Sequence, residues 1–143
     1  MRVRRIILEN DYEMLATWWV RRGGTPPPLA ILPDVGVIVE EACIPISCFF
    51  LYLISNAPVA VMEWEGSNPD CQSPFKRVRA LHMATDFFED YAAKNEITFL
   101  FSWTIPGRGD GRLFSARGWT KPQGEPHEMW SFVTENKKEA VCH

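Results

Sequence analysis

Apolar and polar residues recur along this chain with two different periods, and the changes of period mark out its elements. Arg4 to Leu8, β-branched at Ile6 and Ile7, predicts a short strand. Asn10 and Asp11 then offer a helix N-cap, because a short amide or carboxylate accepts first-turn backbone amides. From Asp11 to Arg22 the apolar residues Tyr12, Leu15, Trp18 and Trp19 fall at helical spacing. Arg21 and Arg22 complement the negative end of that helix, and Gly23-Gly24 ends it. Thr25-Pro26-Pro27-Pro28 predicts an extended surface loop, since proline fixes φ and lacks an amide donor.

A meander of antiparallel strands follows, over Gly36–Glu40, Pro45–Ile54 and Val59–Glu65, with Ser55-Asn56-Ala57-Pro58 as a turn. Ser73-Pro74 has the order of cap and first-turn proline that opens a helix, which runs to about Asn95. Val78, Leu81, Ala84, Thr85, Phe88, Tyr91 and Ala92 form its apolar stripe, while Arg79, Asp86, Asp90 and Lys94 face away. Ile97–Thr104 is a continuous apolar run, as expected of a central strand covered on both faces. Asp110 caps a short helix through Arg117, closed by Gly118, and Met129–Val133 is a last strand. Residues 134–143 read as a polar tail beyond a single domain of residues 1–133.

Composition narrows the function more than the fold. With 143 residues, of which 46% are hydrophobic and 23% charged, one domain with a substantial core is expected. A net charge of −3 disfavours a general nucleic-acid binder, although Lys76, Arg77 and Arg79 form a local basic cluster. Cys43, Cys48, Cys71 and Cys142 make no C-x-x-C pair, and His82, His127 and His143 have no zinc-ligand spacing, so no metal is expected. Cys43 and Cys48 lie in an apolar stretch and read as small hydrophobes, in reduced form. The charged start of the chain precedes no signal-peptide core, and the apolar run Cys48–Ile54 is too short to span a membrane. The expectation is a soluble cytoplasmic protein.

The element order, with Leu113-Phe114-Ser115-Ala116-Arg117-Gly118-Trp119 near its end, resembles the GNAT acyltransferases over roughly residues 3–133. That heptad is similar to the family's "L-Y-x-x-x-G-F" close, in which glycine ends the last helix in a left-handed conformation and the aromatic residue anchors the next strand. The strand, turn and helix of Val59–Asn95 resemble the family's acyl-CoA-binding core. LYLISNAPVAVMEWEGSNPD and LFSWTIPG resemble small GNAT-like proteins of bacteriophages and prophages. The resemblance implies an α+β fold with a mixed, mainly antiparallel sheet flanked by helices. It also implies acetyl-CoA as co-substrate and a small-molecule or protein amine as acceptor. The pantetheine arm would lie along Met62-Glu63-Trp64-Glu65, with the pyrophosphate at the start of the next helix near Ser73.

Two departures qualify that implication. The family's glycine-bearing "R/Q-x-x-G-x-G/A" turn is replaced by Asn68-Pro69-Asp70-Cys71-Gln72-Ser73-Pro74-Phe75, which lacks glycine and places a carboxylate near the phosphates. Lys76 and Arg77 would supply charge in place of backbone amides; solvated cations on a first helical turn fit the same sequence, at the end the dipole disfavours. Phe114 stands where the family's tyrosine returns a proton to the thiolate, so that role is vacant; Tyr52 and Tyr91 read as core. Glu63 and Glu65, sharing one face of their strand, are the candidate general bases; a solvent-facing pair fits the spacing equally well. His82 reads as a partly exposed flank residue, Trp18, Trp19 and Trp103 as core, and Trp64 and Trp130 as core or ligand wall. The expected function is N-acetyl transfer to an amine, with a non-catalytic GNAT-fold binding or phage-accessory protein as the alternative. An exposed edge strand leaves a homodimer open.

Overall fold

The computed structural model describes residues 1–104, 110–120 and 128–133. His127, Cys142, His143 and the expected polar tail lie outside these residues, as do the side chain of Trp130 and the expected cap of Asp110. Six strands occur in the order β1 (Arg2–Arg5), β2 (Gly36–Glu41), β3 (Ile44–Leu53), β4 (Val59–Ser67), β5 (Phe99–Thr104) and β6 (Glu128–Val133). Among the described residues three α-helices join them, α1 (Leu8–Arg21), α2 (Pro74–Lys94) and α3 (Asp110–Ala116), with a short 3-10 turn at Leu29–Ile31. The strands follow chain order across one sheet, in which β1/β2, β2/β3 and β5/β6 are antiparallel and β4/β5 is parallel. This is the α+β, mainly antiparallel architecture that the sequence predicts. Two compact units divide it, one of Met1–Leu51 with Trp64–Phe87, the other of Tyr52–Glu63 with the described residues from Phe88 onward.

In the first unit the helical spacing of α1 does what it predicts. Leu15, Trp18 and Trp19 are buried against Ile38, Cys48 and Phe50, and Tyr12 is packed alongside. The alternate positions Val37, Val39 and Phe49 are buried too, so β2 and β3 are covered on both faces. Pro27 is buried within the proline loop, where its carbonyl accepts a hydrogen bond from the Tyr12 hydroxyl at 3.0 Å. Gly66 is buried on β4 for lack of space: a Cβ there would meet the Cys48 Sγ at 2.6 Å. Burial pushes the Cys48 thiol well above its usual range, which leaves it a small hydrophobe.

The start of α1 differs from the sequence reading. β1 ends at Arg5 and the helix begins at Leu8, with Ile7 as its N-cap and no side-chain cap. Asp11 sits a full turn inside and reaches back to accept the Ile7 amide at 2.9 Å. Its carboxylate also takes two hydrogen bonds from Arg4, at 2.9 and 2.8 Å. Arg4 Nε donates to the buried Glu40 at 3.1 Å, and Arg2 pairs with the same carboxylate. Hydrogen bonding from Arg4 holds the Asp11 carboxyl below its usual range. Burial raises the Glu40 carboxyl, but the two arginines outweigh it and leave it depressed.

The second unit is built around the end of α2. Its buried stripe runs through Ala80, Ala84, Phe88 and Ala92, with Leu81 and Thr85 beside it, in both units. Val78, expected in that stripe, lies on its flank and is 52% exposed. Gly118 takes the left-handed conformation (φ 82°) and closes α3, so that the Trp119 amide bonds the Phe114 carbonyl at 3.0 Å. Trp119 is buried, its ring 4.7 Å from that of Phe114. Its Nε1 donates to the buried Glu89 at 2.9 Å, and Arg117 donates to both oxygens of that carboxylate, at 3.1 and 2.9 Å.

β5 lies centrally, between β4 and β6, as expected, but it is not covered on both faces. It starts at Phe99; just before it the Ile97 amide is taken by the Ala92 carbonyl, and the Thr98 and Phe99 amides share that of Pro58. Burial then alternates: Leu100, Ser102 and Thr104 are buried, while Phe99 and Trp103 are exposed. The apolar run misled because its outer residues are aromatic and shield one another; Phe99 and Phe101 stack with centroids 5.4 Å apart.

Arg4→Gln is expected to cost about 3 kcal/mol at neutral pH, because it strands two buried carboxylates while Arg2 remains on Glu40. In the native protein the depressed Asp11 and Glu40 contribute stability above pH about 4, and this is lost as pH falls through their folded values. In Arg4→Gln only the Ile7 amide still opposes burial at Asp11, so the deficit narrows as pH falls from 7 to 3; urea midpoints at several pH values measure it. A deficit independent of pH contradicts the assignment. Glu89→Ala leaves Arg117 and Trp119 without their shared acceptor and is expected to cost about 3–5 kcal/mol, read as a lowered denaturant midpoint at unchanged slope.

Candidate functional site

The region that the sequence marks for ligand binding is the outer half of β4 and the segment leading into α2. Val59–Met62 pair with Phe99–Ser102, and the Ser102 hydroxyl donates to the Met62 carbonyl at 3.3 Å. Two residues further on, Trp64 has φ 53°, in the left-handed region that a bulky residue rarely adopts. Its ring packs edge-on to Trp19 at 6.3 Å, and Trp19 Nε1 donates to the Glu65 carbonyl at 3.3 Å. Met62 is buried, Glu63 and Trp64 are half-buried and Glu65 is exposed. The two-residue period that places Glu63 and Glu65 on one face assumes extended backbone, and Trp64 interrupts it.

Ser73 and Pro74 open α2 as their order predicts. The Lys76 amide donates to Ser73 Oγ at 3.3 Å, and the Arg77 amide to the Ser73 carbonyl at 3.3 Å. Pro74 has no N–H, so of the first three helical residues only Phe75 keeps an uncommitted amide. The segment before it is tightly tied. Asn68 donates to the Pro45 carbonyl at 2.8 Å and accepts the Asp70 amide at 2.9 Å, while Arg77 donates to the Cys71 carbonyl at 2.9 Å.

A cavity of about 530 Å³ opens beside this segment, lined in part by Glu41, Ile44, Ile46, Asp70, Ser73 and Lys76. Lys76 forms an ion pair with Glu41 across it, which lowers the Glu41 carboxyl and raises the ammonium. Asp70 is held below its usual range by a two-pronged contact from Arg21 at 3.0 and 2.6 Å. The carboxylate that the sequence places near the phosphates is thus matched by a guanidinium from α1.

Of the sequence-predicted residues, the structure brings Ser73 and Lys76 together in one cavity; Met62, Glu63, Trp64, Glu65 and Arg77 do not line it. Sequence reasoning missed Glu41 and Arg21, whose partners lie 35 and 49 positions away, too far for any local pattern to signal. Of the basic cluster, Lys76 and Arg77 are engaged locally and Arg79 is exposed. Phe114 is 2% exposed against Trp119, so a hydroxyl added there would be buried. Tyr52, Tyr91 and His82 are half-buried, Trp103 is exposed rather than core, and Cys43 is exposed at the β2–β3 turn rather than apolar interior. Among the described residues no helix is long and apolar enough to cross a membrane, and no group of three His, Cys, Asp or Glu could hold a metal ion.

No family model and no curated protein matches this sequence. Solved structures do match it. The ribosomal-protein-S18-alanine N-acetyltransferase from Escherichia coli superposes with a TM-score of 0.71 at 9% identity, over 93% of both chains. Rv2747 from Mycobacterium tuberculosis, in complex with CoA, gives 0.71 at 13% identity, over 93% of this chain and 99% of that one. N-acetylglutamate synthase from Neisseria gonorrhoeae, complexed with coenzyme A and N-acetyl-glutamate, gives 0.68 at 15% identity; the match spans 93% of this chain and 35% of the synthase. At such identities the likeness speaks for architecture alone, and that architecture is a GNAT-like α+β fold.

Proposed function

We propose that this chain is an acyl-CoA-dependent N-acetyltransferase that acts on an amine from a single domain of residues 1–133, in a cytoplasmic setting. The observation that carries the reading is the left-handed Trp64, two residues past the last β4–β5 pair. It interrupts the extended backbone in the stretch Met62–Glu65, along which the fold family lays the pantetheine arm. Acetyl-CoA would supply a thioester carbonyl for attack by the amine, the new C–N bond forming as the C–S bond breaks and CoA leaves as the thiolate. Glu63 or Glu65 takes the proton that the amine loses.

At the pyrophosphate the residues fit a side-chain cradle better than a backbone one. Among the first three helical residues one amide, that of Phe75, is uncommitted, and no glycine lets the preceding turn close its backbone around a phosphate. The Ser73 hydroxyl, the Lys76 ammonium and the Arg77 guanidinium supply the remaining donors in this reading. The same shortage of amides favours the second reading, a GNAT-fold binding or phage-accessory protein without catalysis.

Replacing Lys76 and Arg77 together by glutamine is expected to weaken acetyl-CoA binding about tenfold or more in calorimetry, and added salt to weaken it in the native protein. Tight binding that neither change disturbs contradicts this cradle. No binding at millimolar acetyl-CoA makes the second reading the description of the protein. In steady-state assays, Glu63→Gln or Glu65→Gln, whichever removes the base, is expected to lower kcat about 10²–10⁴-fold with little change in the KM for acetyl-CoA. Equal and small effects of both substitutions remove these residues from proton transfer.

A further inference from the structure

The cavity beside α2 has its own anion already in place. Lys76 is the third residue of α2, where the helix dipole repels a cation, and its ammonium is paired with Glu41. Glu41 is delivered by the β2–β3 turn, in which Glu41 pairs with Ile44 and the two residues between, Ala42 and Cys43, have φ 49° and 64°. Such a turn calls for Asn-Gly or a similar pair, and holding alanine and cysteine in it is strained. Glu41 is therefore presented by a tight two-residue hairpin turn. The cavity is otherwise equipped for a small ligand with an acidic head: its volume of about 530 Å³ lies in the range of small-molecule sites. Ala42, Ile44 and Ile46 give it an apolar wall, and Ser73 adds a hydroxyl. The second carboxylate on its lining, Asp70, is occupied by Arg21.

We infer that Glu41 is a built-in competitor for this cavity, so that a phosphate-bearing ligand enters only by displacing Glu41 from Lys76. The inference rests on the proposed role of Lys76 in binding phosphate, and adds a residue that holds the site closed to weak or misplaced anions. Two sources share the chemistry, the phosphates of coenzyme A and free inorganic phosphates, and both displace the same carboxylate. No bond forms or breaks; one ion pair is exchanged for another.

The test is a cycle of Glu41→Gln, Lys76→Gln and the double variant, titrated calorimetrically with CoA and separately with inorganic pyrophosphate. Unchanged thermal midpoints confirm that each variant is folded. Glu41→Gln is expected to tighten binding roughly two- to fivefold, the scale of a lost competing surface ion pair, and to do nothing in the Lys76→Gln background. Equal tightening in both backgrounds would show only a change of net charge and overturns the inference, as does no tightening at all. Tightening for pyrophosphate with no CoA binding in any variant upholds the competitor and removes the acetyl-CoA reading instead. Binding of CoA that is indifferent to Glu41 keeps that reading and removes the competitor.

Discussion

Holding a tryptophan in the left-handed region costs on the order of 1–2 kcal/mol, and the candidate site depends on that cost being met at Trp64. The offset is supplied by α1. Trp19 meets the Trp64 ring edge-on, the favoured arrangement for two aromatic quadrupoles, and its indole N–H fastens the next carbonyl, that of Glu65. Trp19 itself is buried against Phe50 and its neighbours, so the irregularity of β4 is anchored in the main core of the first unit. α1 in turn is oriented by Arg4, Asp11 and the Ile7 amide. A chain of contacts thus leads from a salt bridge at the first strand to the one backbone feature that gives β4 a functional look.

The start of α2 shows a different economy of charge. Its dipole, its capping serine and its proline all act on the same few atoms, and together they leave little backbone for a ligand. Three cations follow at the end where the dipole disfavours them, and two of these are drawn off by Glu41 and the Cys71 carbonyl. Arg21 and Asp70 offset one another, as do Lys76 and Glu41, which leaves Arg77 and Arg79 as net positive charge on an extensively cross-linked surface. A ligand entering it must exchange partners rather than find vacant ones.

Regular periods were the legible part of the sequence. The four apolar positions of α1, the cap and proline of α2, and the glycine that closes α3 each act through neighbours within a turn, so local spacing suffices to read them. What escaped depended on partners far along the chain. Asp11 looks like a cap until Arg4 and Glu40 are placed beside it. The β5 run reads as doubly covered because hydrophobicity does not say whether an aromatic residue is buried or merely stacked on its neighbour. Nothing in Met62-Glu63-Trp64-Glu65 announces a left-handed residue, since the usual signal, glycine or asparagine, is absent. The candidate acids were therefore visible as residues but not as a geometry.

The contact between Gly66 and Cys48 has a consequence for how this protein can vary. A Cβ at position 66 would stand 2.6 Å from the Cys48 sulfur, so the two positions share a single volume. Neither is free to drift alone: enlarging 66 demands a side chain smaller than cysteine at 48, and enlarging 48 presses on a strand that has no side chain left to give up. Relatives of this chain should therefore exchange bulk between these positions in a correlated way, alanine at 66 appearing with alanine or glycine at 48. Close neighbours of the Trp64 irregularity would then change in pairs, although 18 positions of sequence separate them.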